Sequence, residues 1–390
     1  MEKCNVLILG GGVAGSMAAI SAARNGADVV LVERGGCLGG MWTSGLIGIT
    51  LDPYNKTPLL DEFLGLVKAE QELGAATLFE TQKYVLEKLC IEAGVKVLYH
   101  SQPYSLELKN GKILAVSVIS KGGTSIFKPA MVIDATGDGD IAALAGCEFD
   151  YGRPEDGKTQ PMSMVALVGG IDSRLANSYI SYPQEPFWDA RNRLKALLDK
   201  NGISVSLGCA SIVPLINDIY ILSMNQVYGK SGCDSNQLTQ ATIGARREIY
   251  NFVASLKKCC PEIFPNITLL STPEAIGVRE GRRIKGKYTV TLDDMVAGKR
   301  HTDSVCTVTY WPDIHSPEKD EKGFSDGGLK IQPYDIPFRA LMPKAIDNLL
   351  VAGRCISGDF YAHSSYRVMG NMAAVGAAAG EFAAKSTKGI

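Results

Sequence analysis

The sequence is poor in the side chains that build metal centres, and its charge is almost balanced. It has four histidines, and none of its ten cysteines forms a C-x-x-C pair or a Cys/His cluster. Zinc and iron–sulfur sites need such spacings, so we expect no metal and no iron–sulfur cluster. Forty basic residues stand against 41 acidic ones without a long basic run, so we expect no nucleic-acid partner.

Long apolar runs are also scarce. Residues 5–23 are uncharged, but they contain four glycines and follow no strongly basic leader, unlike a signal peptide or a membrane anchor. The cysteines are scattered along the chain, as in proteins that keep their thiols reduced. We therefore expect no membrane partner and a cytoplasmic location.

What the sequence does have is enough apolar material for a large core. Of its 390 residues, 46% are hydrophobic and 42 are glycine. A chain of this length buries about three-quarters of its surface on folding. This excludes a disordered chain or a disulfide-stapled miniature and indicates one large domain or two interlocked ones.

The first 33 residues carry a nucleotide-binding pattern. An apolar strand at residues 6–9 leads into a G-x-G-x-x-G turn at residues 10–15, followed by an Ala-rich helix at 16–25. A second strand, residues 28–32, ends at Glu33. Strand, glycine turn, helix, strand and acid in this order predict a dinucleotide site.

Each part of this pattern has a physical role. Gly10 permits the tight turn, Gly12 lets the backbone approach a diphosphate, and Gly15 lets the helix pack closely on the strand. Val13 and Ala14 open the helix, where unpaired N–H groups attract phosphate. Glu33 is expected to accept hydrogen bonds from a ribose.

The loop after Glu33 favours FAD over NAD. Residues 34–41 (RGGCLGGM) are dense in glycine, whereas an NAD domain would usually enter its next helix there. A permissive loop suits close approach by a longer ligand, such as a flavin. The candidate cofactor-binding residues of this loop are Arg34, Gly39, Gly40 and Met41.

Further along, the pattern predicts a helix at 77–93, a strand at 95–99 and a three-stranded antiparallel meander at about 103–130. A separate apolar strand from Met131 returns to the nucleotide-binding sheet and ends at three further candidate FAD residues, Ala135, Thr136 and Gly137. From 151 to 332 prolines and aromatics increase; we expect a helix at 236–258 and a capping box from Thr291 to Asp294.

The C-terminal segment returns to nucleotide-fold character. A short strand at 348–354 ends at Gly353 and Arg354, and an Ala/Gly-rich helix follows at about 368–385. The small residues at the start of this helix would let its backbone approach a flavin ring. The dipole at the N-terminus of the helix would then stabilise the reduced flavin. An ordinary closely packed helix is the alternative. Gly370, Asn371 and Met372 are therefore candidate flavin residues.

The predicted fold class is α/β. A Rossmann-like FAD-binding domain comprises residues 1–150 and 333–390, and an α+β substrate-side domain, residues 151–332, is inserted into it.

These motifs resemble FAD-dependent oxidoreductases related to the flavin subunit (A) of heterodisulfide reductase, within the glutathione-reductase/fumarate-reductase structural class. The matching segments are residues 10–15, 35–45 (GGCLGGMWTSG), 134–146 (DATGDGDIAALAG), 160–162, 277–291 (GVREGRRIKGKYTVT) and 348–380. The resemblance implies non-covalently bound FAD and redox chemistry on a small organic molecule. The chain departs from that subunit in lacking cysteine runs for iron–sulfur clusters.

The catalytic candidates are His363, His315, Arg279 and Arg367. Flavin chemistry needs an orienting pocket and an acid or base for the proton that accompanies a hydride. His363 lies just before the helix assigned to the flavin ring, and a structural loop histidine is the alternative for it and for His315. In fumarate-reductase relatives, arginines hold substrate carboxylates and one delivers a proton. For Arg279, an ion pair with Glu280 or exposure on the surface is the alternative, and Arg367 could serve either the flavin or the substrate.

Weaker candidates complete the set. Tyr288, Tyr310 and Tyr366 are possible pocket residues, and Cys37 and Cys355 leave open a thiol redox or covalent role.

The sequence thus predicts an FAD-dependent dehydrogenase or reductase. It would transfer a hydride between the flavin and a small polar substrate, carboxylated or hydroxylated, with an unidentified electron donor or acceptor. A flavin monooxygenase and a non-catalytic electron-transfer subunit of a larger complex are the alternatives. The substrate, the reaction direction and whether the chain forms a homo-oligomer stay open.

Overall fold

The computed structural model describes residues 1–321, 323 and 325–387. Its strands are β1 (Glu2–Leu9), β2 (Val29–Val32), β3 (Lys96–Leu98), β4 (Ser101–Lys109), β5 (Lys112–Ser120), β6 (Gly123–Asp134), β7 (Phe149–Tyr151), β8 (Val165–Gly169), β9 (Ser211–Ile216), β10 (Ile219–Ser223), β11 (Thr268–Ser271), β12 (Arg282–Ile284), β13 (Ser304–Val308), β14 (Tyr334–Pro337) and β15 (Leu349–Val351). Its helices are α1 (Val13–Arg24), α2 (Pro58–Glu72), α3 (Leu78–Glu92), α4 (Asp140–Leu144), α5 (Ser173–Ala176), α6 (Asp189–Lys200), α7 (Ser235–Cys259), α8 (Leu292–Ala297), α9 (Phe360–Tyr366) and α10 (Met369–Ser386).

A seven-stranded mixed sheet brings the carboxyl ends of four strands together. Its order is β3-β2-β1-β6-β5-β4, with β15 also paired to β6. Leu9 of β1 aligns with Val32 of β2 and with Asp134 of β6, and Val351 of β15 aligns with Asp134 as well. All of these pairings are parallel, so the loops that follow the four strands meet at one edge, where α/β sheets bind ligands.

The predicted break between the meander and the apolar strand was wrong. β6 is one continuous strand from Gly123 to Asp134. One edge of it pairs with β5 up to Phe127 and with β15 from Val132, and the opposite edge pairs with β1 from Phe127 onward. Lys128 and Pro129 interrupt the apolar pattern in the middle of the strand. Pro129 lies between Phe127, the last residue paired with β5, and Val132, the first residue paired with β15, so its missing N–H removes no bond from the meander.

Helices α1 and α10 pack directly against each other, although they come from opposite ends of the chain. A Cβ on Gly376 would lie 2.1 Å from the carbonyl oxygen of Ala14, and one on Gly380 would lie 2.1 Å from that of Ala18. The hydroxyl of Ser21 donates to the carbonyl of Ala377 at 2.8 Å. The glycines therefore set the separation of the two helices and hold α10 beside the first nucleotide-binding turn.

A second hydrophobic core lies in a separate unit. The four-stranded sheet β11-β8-β10-β9 is antiparallel and carries α6 and α7. Its buried apolar residues run from Met162 to Ile276, whereas those from Ile284 to Tyr334 pack in the core of the large sheet. The proposed limits of the inserted domain, 151–332, stay an interpretation, and residues 322, 324 and 388–390 lie outside the described residues.

Most local predictions agree with the observed elements. The helices expected at 77–93 and 236–258 are Leu78–Glu92 and Ser235–Cys259, and the Thr291–Asp294 capping box is formed in both directions. Among the described residues, no helix is both long enough and apolar enough to cross a membrane.

Candidate active site

The turn between β1 and α1 leaves open space where the sequence predicts a diphosphate. A Cβ on Gly10, which has φ +103°, would lie 2.4 Å from the carbonyl oxygen of Ala135, and one on Gly15 would lie 1.8 Å from that of Gly10. At Gly12, in contrast, a Cβ would meet nothing within 4 Å. Packing therefore explains Gly10 and Gly15, whereas Gly12 keeps its Cα open toward a ligand.

The N-terminus of α1 is available to an anion. No side chain caps it, and its first turn contains no acidic residue, so its first N–H groups are open to an anion. This turn begins with Val13 and Ala14, the residues that the sequence assigned to the phosphates.

The Glu33 carboxylate organises two loops. It accepts the N–H of Gly11 at 2.6 Å and the N–H of Gly35 at 2.7 Å. A carboxylate has further lone pairs beyond these two, so a ribose role stays a prediction. Arg34, also predicted to bind the cofactor, is exposed beside it.

The second glycine loop lies against the first. The N–H of Gly39 donates to the carbonyl of Gly11 at 2.8 Å, and a Cβ on Gly40 would lie 3.0 Å from the Cα of Gly12. Gly39 and Gly40 have φ of +101° and +54°, which favours glycine. The structure thus brings together the two glycine-rich segments predicted to contact one cofactor, with Met41 half-buried next to them.

Asp134 shapes the third loop, although the sequence pattern indicates only that it ends a strand. Its buried carboxylate accepts the Thr136 hydroxyl at 2.7 Å and the N–H groups of Thr136, Ile141 and Ala142 at 3.1, 2.9 and 2.8 Å. Burial raises the pKa of Asp134 to about 6, against the effect of these donors. An Asp at the carboxyl end of a buried strand, followed by Thr and Gly, was the available signal.

The fourth segment contributes Gly353 and Arg354. The Arg354 guanidinium donates to Asp138 at 3.1 Å and lies over Gly137, where a Cβ would come within 2.9 Å of it. Gly353, with φ +110°, lies next to Ala14 of α1. Arg354, Gly137 and the first glycine turn thus share one edge of the sheet.

The reason for glycine at the start of α10 differs from the predicted one. The N–H of Gly370 donates to the carbonyl of Leu51 at 3.1 Å, and a Cβ there would lie 2.0 Å from the carbonyl oxygen of Asp52. Gly370 is therefore required by a protein loop. Asn371 is fully buried and its Nδ2 has no hydrogen-bond partner, so it keeps a donor for a ligand, while the flavin contacts predicted for Gly370 and Met372 stay predictions.

A second polar cluster joins three segments at the C-terminal end of α9, where Arg367 follows the helix. The Arg367 guanidinium donates to the Asp313 carbonyl at 2.7 Å and to Oε1 of Gln160 at 3.2 Å. The backbone N–H of His315 donates to the same Gln160 oxygen at 3.0 Å. Two donors in this cluster, Nη1 of Arg367 and Nε2 of Gln160, are buried without a hydrogen-bond partner.

Charges in this cluster perturb each other. His315 and Arg367 hold the pKa of Asp313 at about 2, although burial opposes them. Burial lowers the pKa of His315 to about 4, with a further contribution from the Arg279 cation. Burial and the nearby Arg367 lower the pKa of Arg279 to about 10. The cluster therefore carries two arginine cations, one carboxylate and a neutral imidazole at pH 7.

Arg279 belongs to this cluster through its charge. One guanidinium nitrogen donates to the carbonyl of Pro161 at 2.7 Å. The alternative considered for it, an ion pair with Glu280, is instead made by Arg283, and both of those side chains are buried. Arg282 pairs with Asp140 at 2.8 Å.

His363 is fully buried in α9, and neither ring nitrogen has a hydrogen-bond partner. Its ring meets that of Tyr366 edge to face, with 5.6 Å between the centroids. Burial, with the cations Arg283 and Arg367, lowers the pKa of His363 well below its usual value. The imidazole is therefore neutral at pH 7, and its catalytic role stays a prediction.

The weaker candidates are engaged in other contacts. The hydroxyl of Tyr366 donates to the Ile356 carbonyl at 3.0 Å, and that of Tyr288 donates to Asp294 at 2.8 Å. Burial raises the pKa of Tyr310 to about 12. Burial also raises the pKa of Cys355 well above its usual value, which disfavours a thiolate.

Cys37 lies 3.2 Å from the Ser44 hydroxyl. A redox or covalent role for Cys37 or Cys355 stays a hypothesis. Among the described residues, no three His, Cys, Asp or Glu side chains are grouped to hold a metal ion.

Comparison with known proteins identifies a family. The family described as FAD dependent oxidoreductase matches residues 5–389. A digeranylgeranylglycerophospholipid reductase of Methanothermobacter thermautotrophicus is 32% identical over 178 residues, which are 40% of this chain and 44% of that protein. The chain thus spans less than half the length of this curated relative.

Solved structures share the fold. A flavin-dependent brominase aligns with a TM-score of 0.51 at 11% identity, over 100% of this chain and 80% of its own. A myxobacterial chondrochloren halogenase, described as FAD-dependent, aligns with a TM-score of 0.50 at 13% identity, over 97% and 73% of the two chains. At such identities the likeness concerns the fold alone.

Proposed function

Because this chain belongs to the family of FAD-dependent oxidoreductases, we propose that it transfers a hydride between FAD and a small polar organic substrate that carries a carboxylate. One observation carries the substrate part: the unpartnered donors Nη1 of Arg367 and Nε2 of Gln160 lie in one buried cluster with Arg279. Unpartnered buried donors favour a ligand that supplies acceptors, as a carboxylate does. A hydroxyl on the substrate would be a second acceptor.

The residues around the β1–α1 turn fit the cofactor. The open space at Gly12 and the uncapped start of α1 suit a diphosphate, and the segments ending in Gly40, Gly137 and Arg354 lie at the same edge. Bound FAD supplies the two-electron redox step. Glutathione-reductase-type FAD binding and kinship with the heterodisulfide reductase flavin subunit are part of the proposal.

The chain's own residues would bind, orient and protonate the substrate. Arg367 and Gln160 hold its carboxylate, and burial of this cluster excludes water that would weaken the ion pair. Arg279, whose pKa burial and Arg367 lower to about 10, is the proposed donor of the proton that accompanies the hydride. His363, whose imidazole is neutral at pH 7, is retained as a candidate to accept a proton when a substrate is oxidised.

The curated relative is named as a reductase, which favours reduction of the substrate as the direction. A separate electron donor would then reduce the flavin between turnovers. Cytoplasmic location and the absence of membrane and nucleic-acid partners are parts of the same proposal.

Anaerobic spectroscopy of the purified protein tests the proposal. A panel of hydroxylated, saturated and unsaturated carboxylic acids is added to oxidised and to photoreduced enzyme, each acid beside its methyl ester. We expect bleaching or reoxidation of the flavin by an acid but not by its ester, and loss of this response in Arg367→Met with FAD content retained. Equal response to acid and ester would contradict the carboxylate assignment.

The same preparation separates the alternatives. Incorporation of labelled oxygen into the product would indicate a monooxygenase. Turnover that appears only with a partner protein would indicate an electron-transfer subunit.

A further inference from the structure

We propose that Tyr228, Gln226 and His315 are positioning residues: a directional hydrogen-bond array, Tyr228–Gln226–His315–Asp313–Arg367, fixes His315 as its Nε2–H tautomer and thereby holds Arg367 in place. The array crosses from the loop after β10 in the second unit to the end of α9 beside the large sheet. The role of Arg367 toward substrate rests on the proposed function, whereas the direction of the array does not.

The Gly323 carbonyl sets the direction of the array at Gln226, which is 3% exposed. The Tyr228 hydroxyl donates to Oε1 of Gln226 at 2.5 Å. Nε2 of the same amide donates to the carbonyl of Gly323 at 3.4 Å and faces Nδ1 of His315. Turning the amide over would set its oxygen against the Gly323 carbonyl, two acceptors face to face. The Gly323 carbonyl therefore fixes the amide with its NH₂ toward His315.

The orientation of Gln226 decides where His315 carries its proton. Since the amide donates to Nδ1, that nitrogen must be unprotonated, and the proton lies on Nε2. Nε2 is 3.2 Å from Oδ1 of Asp313, so the imidazole N–H donates to this carboxylate. His315 is thus a donor toward Asp313 and an acceptor toward Gln226, which leaves it no free nitrogen for proton exchange with substrate.

Asp313 passes the constraint to Arg367. Its backbone carbonyl accepts from Nη2 of Arg367 at 2.7 Å, and its Oδ2 lies 3.5 Å from the same nitrogen. The Arg367 side chain is 7% exposed, and its Nη1 stays without a partner. The array therefore uses one edge of the guanidinium and leaves the other edge for a ligand.

The proposed array gives His315 a different role from the one that the sequence suggested. Histidine in a loop with Trp, Pro and Asp was a candidate acid or base, but both ring nitrogens serve the array. Its loss would act through Arg367, that is, on the binding and alignment of an anionic ligand.

Nitrogen NMR of the holoenzyme tests the direction of the array. The chain has four histidines, so ¹⁵N-histidine labelling gives four imidazoles, and the His315 signals are those lost in His315→Asn. Long-range ¹H–¹⁵N spectra between pH 5.5 and 8.5 should show His315 neutral and protonated on Nε2 throughout. Protonation on Nδ1, or titration near pH 6.5, would overturn the proposal.

Gln226→Glu reverses one link of the array. The new carboxylate accepts a hydrogen bond from a protonated Nδ1, while Asp313 accepts one from Nε2. The two carboxylates together stabilise the doubly protonated ring, although the cations Arg279 and Arg367 oppose its protonation. We expect the His315 titration to move up by two pH units or more. The matched control is Gln240→Glu, an exposed residue of α7 that bonds Lys230; it should leave the His315 spectrum unchanged, and an unchanged spectrum in Gln226→Glu as well would overturn the proposal.

Sodium succinate, a dicarboxylate probe, reports on Arg367 through the absorbance of the bound flavin. The positioning role predicts succinate binding about tenfold weaker in Gln226→Glu than in Gln240→Glu, at equal FAD content. Equal affinity in the two variants would overturn that role. Failure of the wild-type protein to respond to any acid of the panel would instead count against the proposed function. The His315 tautomer measured by NMR would still test the direction of the array.

Discussion

At the scale of single residues, the buried imidazole of His363 is unusual because it has no hydrogen-bond partner. His363 is fully buried, and both of its ring nitrogens lack a partner. Leaving a buried polar group unsatisfied costs about 1–3 kcal/mol. A purely structural position would be filled at lower cost by an apolar residue of similar size, which favours a ligand-directed role for this histidine.

Replacing His363 by leucine separates the two roles. In His363→Leu we expect the free energy of unfolding to change by less than about 1 kcal/mol or to rise, since no hydrogen bond is lost. FAD content should be retained, and flavin reduction or reoxidation by the responding acid should slow by about 10²-fold or more if the ring handles a proton. Urea unfolding and stopped-flow absorbance measure the two quantities; unchanged flavin kinetics would make His363 structural.

His315 makes stability depend on pH in a defined direction. Its folded pKa of about 4 lies below the usual value of 6.5, so the unfolded chain binds the proton more readily. Stability is complete above pH 6.5 and declines as the pH falls toward 4. Between pH 7.5 and 5.0 this residue accounts for about 2 kcal/mol of lost unfolding free energy.

The measurement compares urea unfolding of the wild-type protein and His315→Asn at the two pH values. The loss between pH 7.5 and 5.0 should be smaller in the variant by about 2 kcal/mol. His363, whose folded pKa is also lowered, acts in the same direction in both proteins and cancels. An identical pH dependence of the two proteins would show that His315 is protonated in the folded state.

At the scale of elements, the contact between α1 and α10 holds the site together. Gly376 and Gly380 let the backbone of α10 approach Ala14 and Ala18 of α1, and α1 begins in the first glycine turn. A change in the separation of these helices would therefore reach the predicted cofactor site.

Gly376→Ala tests this contact, with Gly244→Ala as its matched control. The first substitution places a methyl group 2.1 Å from a backbone oxygen, so we expect a loss of about 1–3 kcal/mol in unfolding free energy and weaker FAD retention. Gly244 lies inside α7 with no atom within 4 Å of a Cβ position, and alanine there should stabilise by about 0.5–1 kcal/mol. Equal effects of the two substitutions in thermal and urea unfolding would contradict close packing of α1 on α10.

At the scale of the whole molecule, the sequence predicted what depends on near neighbours. Gly10, Gly12 and Gly15 could be assigned because strand, turn and helix follow within a few residues. The apolar periodicity predicted the helices at 78–92 and 235–259. The pairing of Thr291 with Asp294, three residues later, predicted the capping box.

Features built from distant contacts were not predicted. Gln160 begins one of the segments that carry the family resemblance, but its contact with Arg367, 207 positions away, was not predicted. Gly370 is glycine because Leu51 and Asp52 pass over it, a contact that the Ala-rich pattern around it cannot reveal. The roles of Gln226 and Tyr228 likewise arise only where the second unit meets the end of α9.

The central claim is that four separate segments of the chain form one dinucleotide site around Gly12. The most direct measurement compares Gly12→Ala with the wild-type protein, both as apoprotein and after addition of FAD. Because a Cβ at Gly12 meets nothing within 4 Å and the backbone is extended there, we expect the apoprotein to unfold at the same urea concentration, whereas FAD affinity falls at least tenfold. Unchanged FAD affinity in the variant would contradict the placement of the diphosphate at this turn, and with it the account of the site.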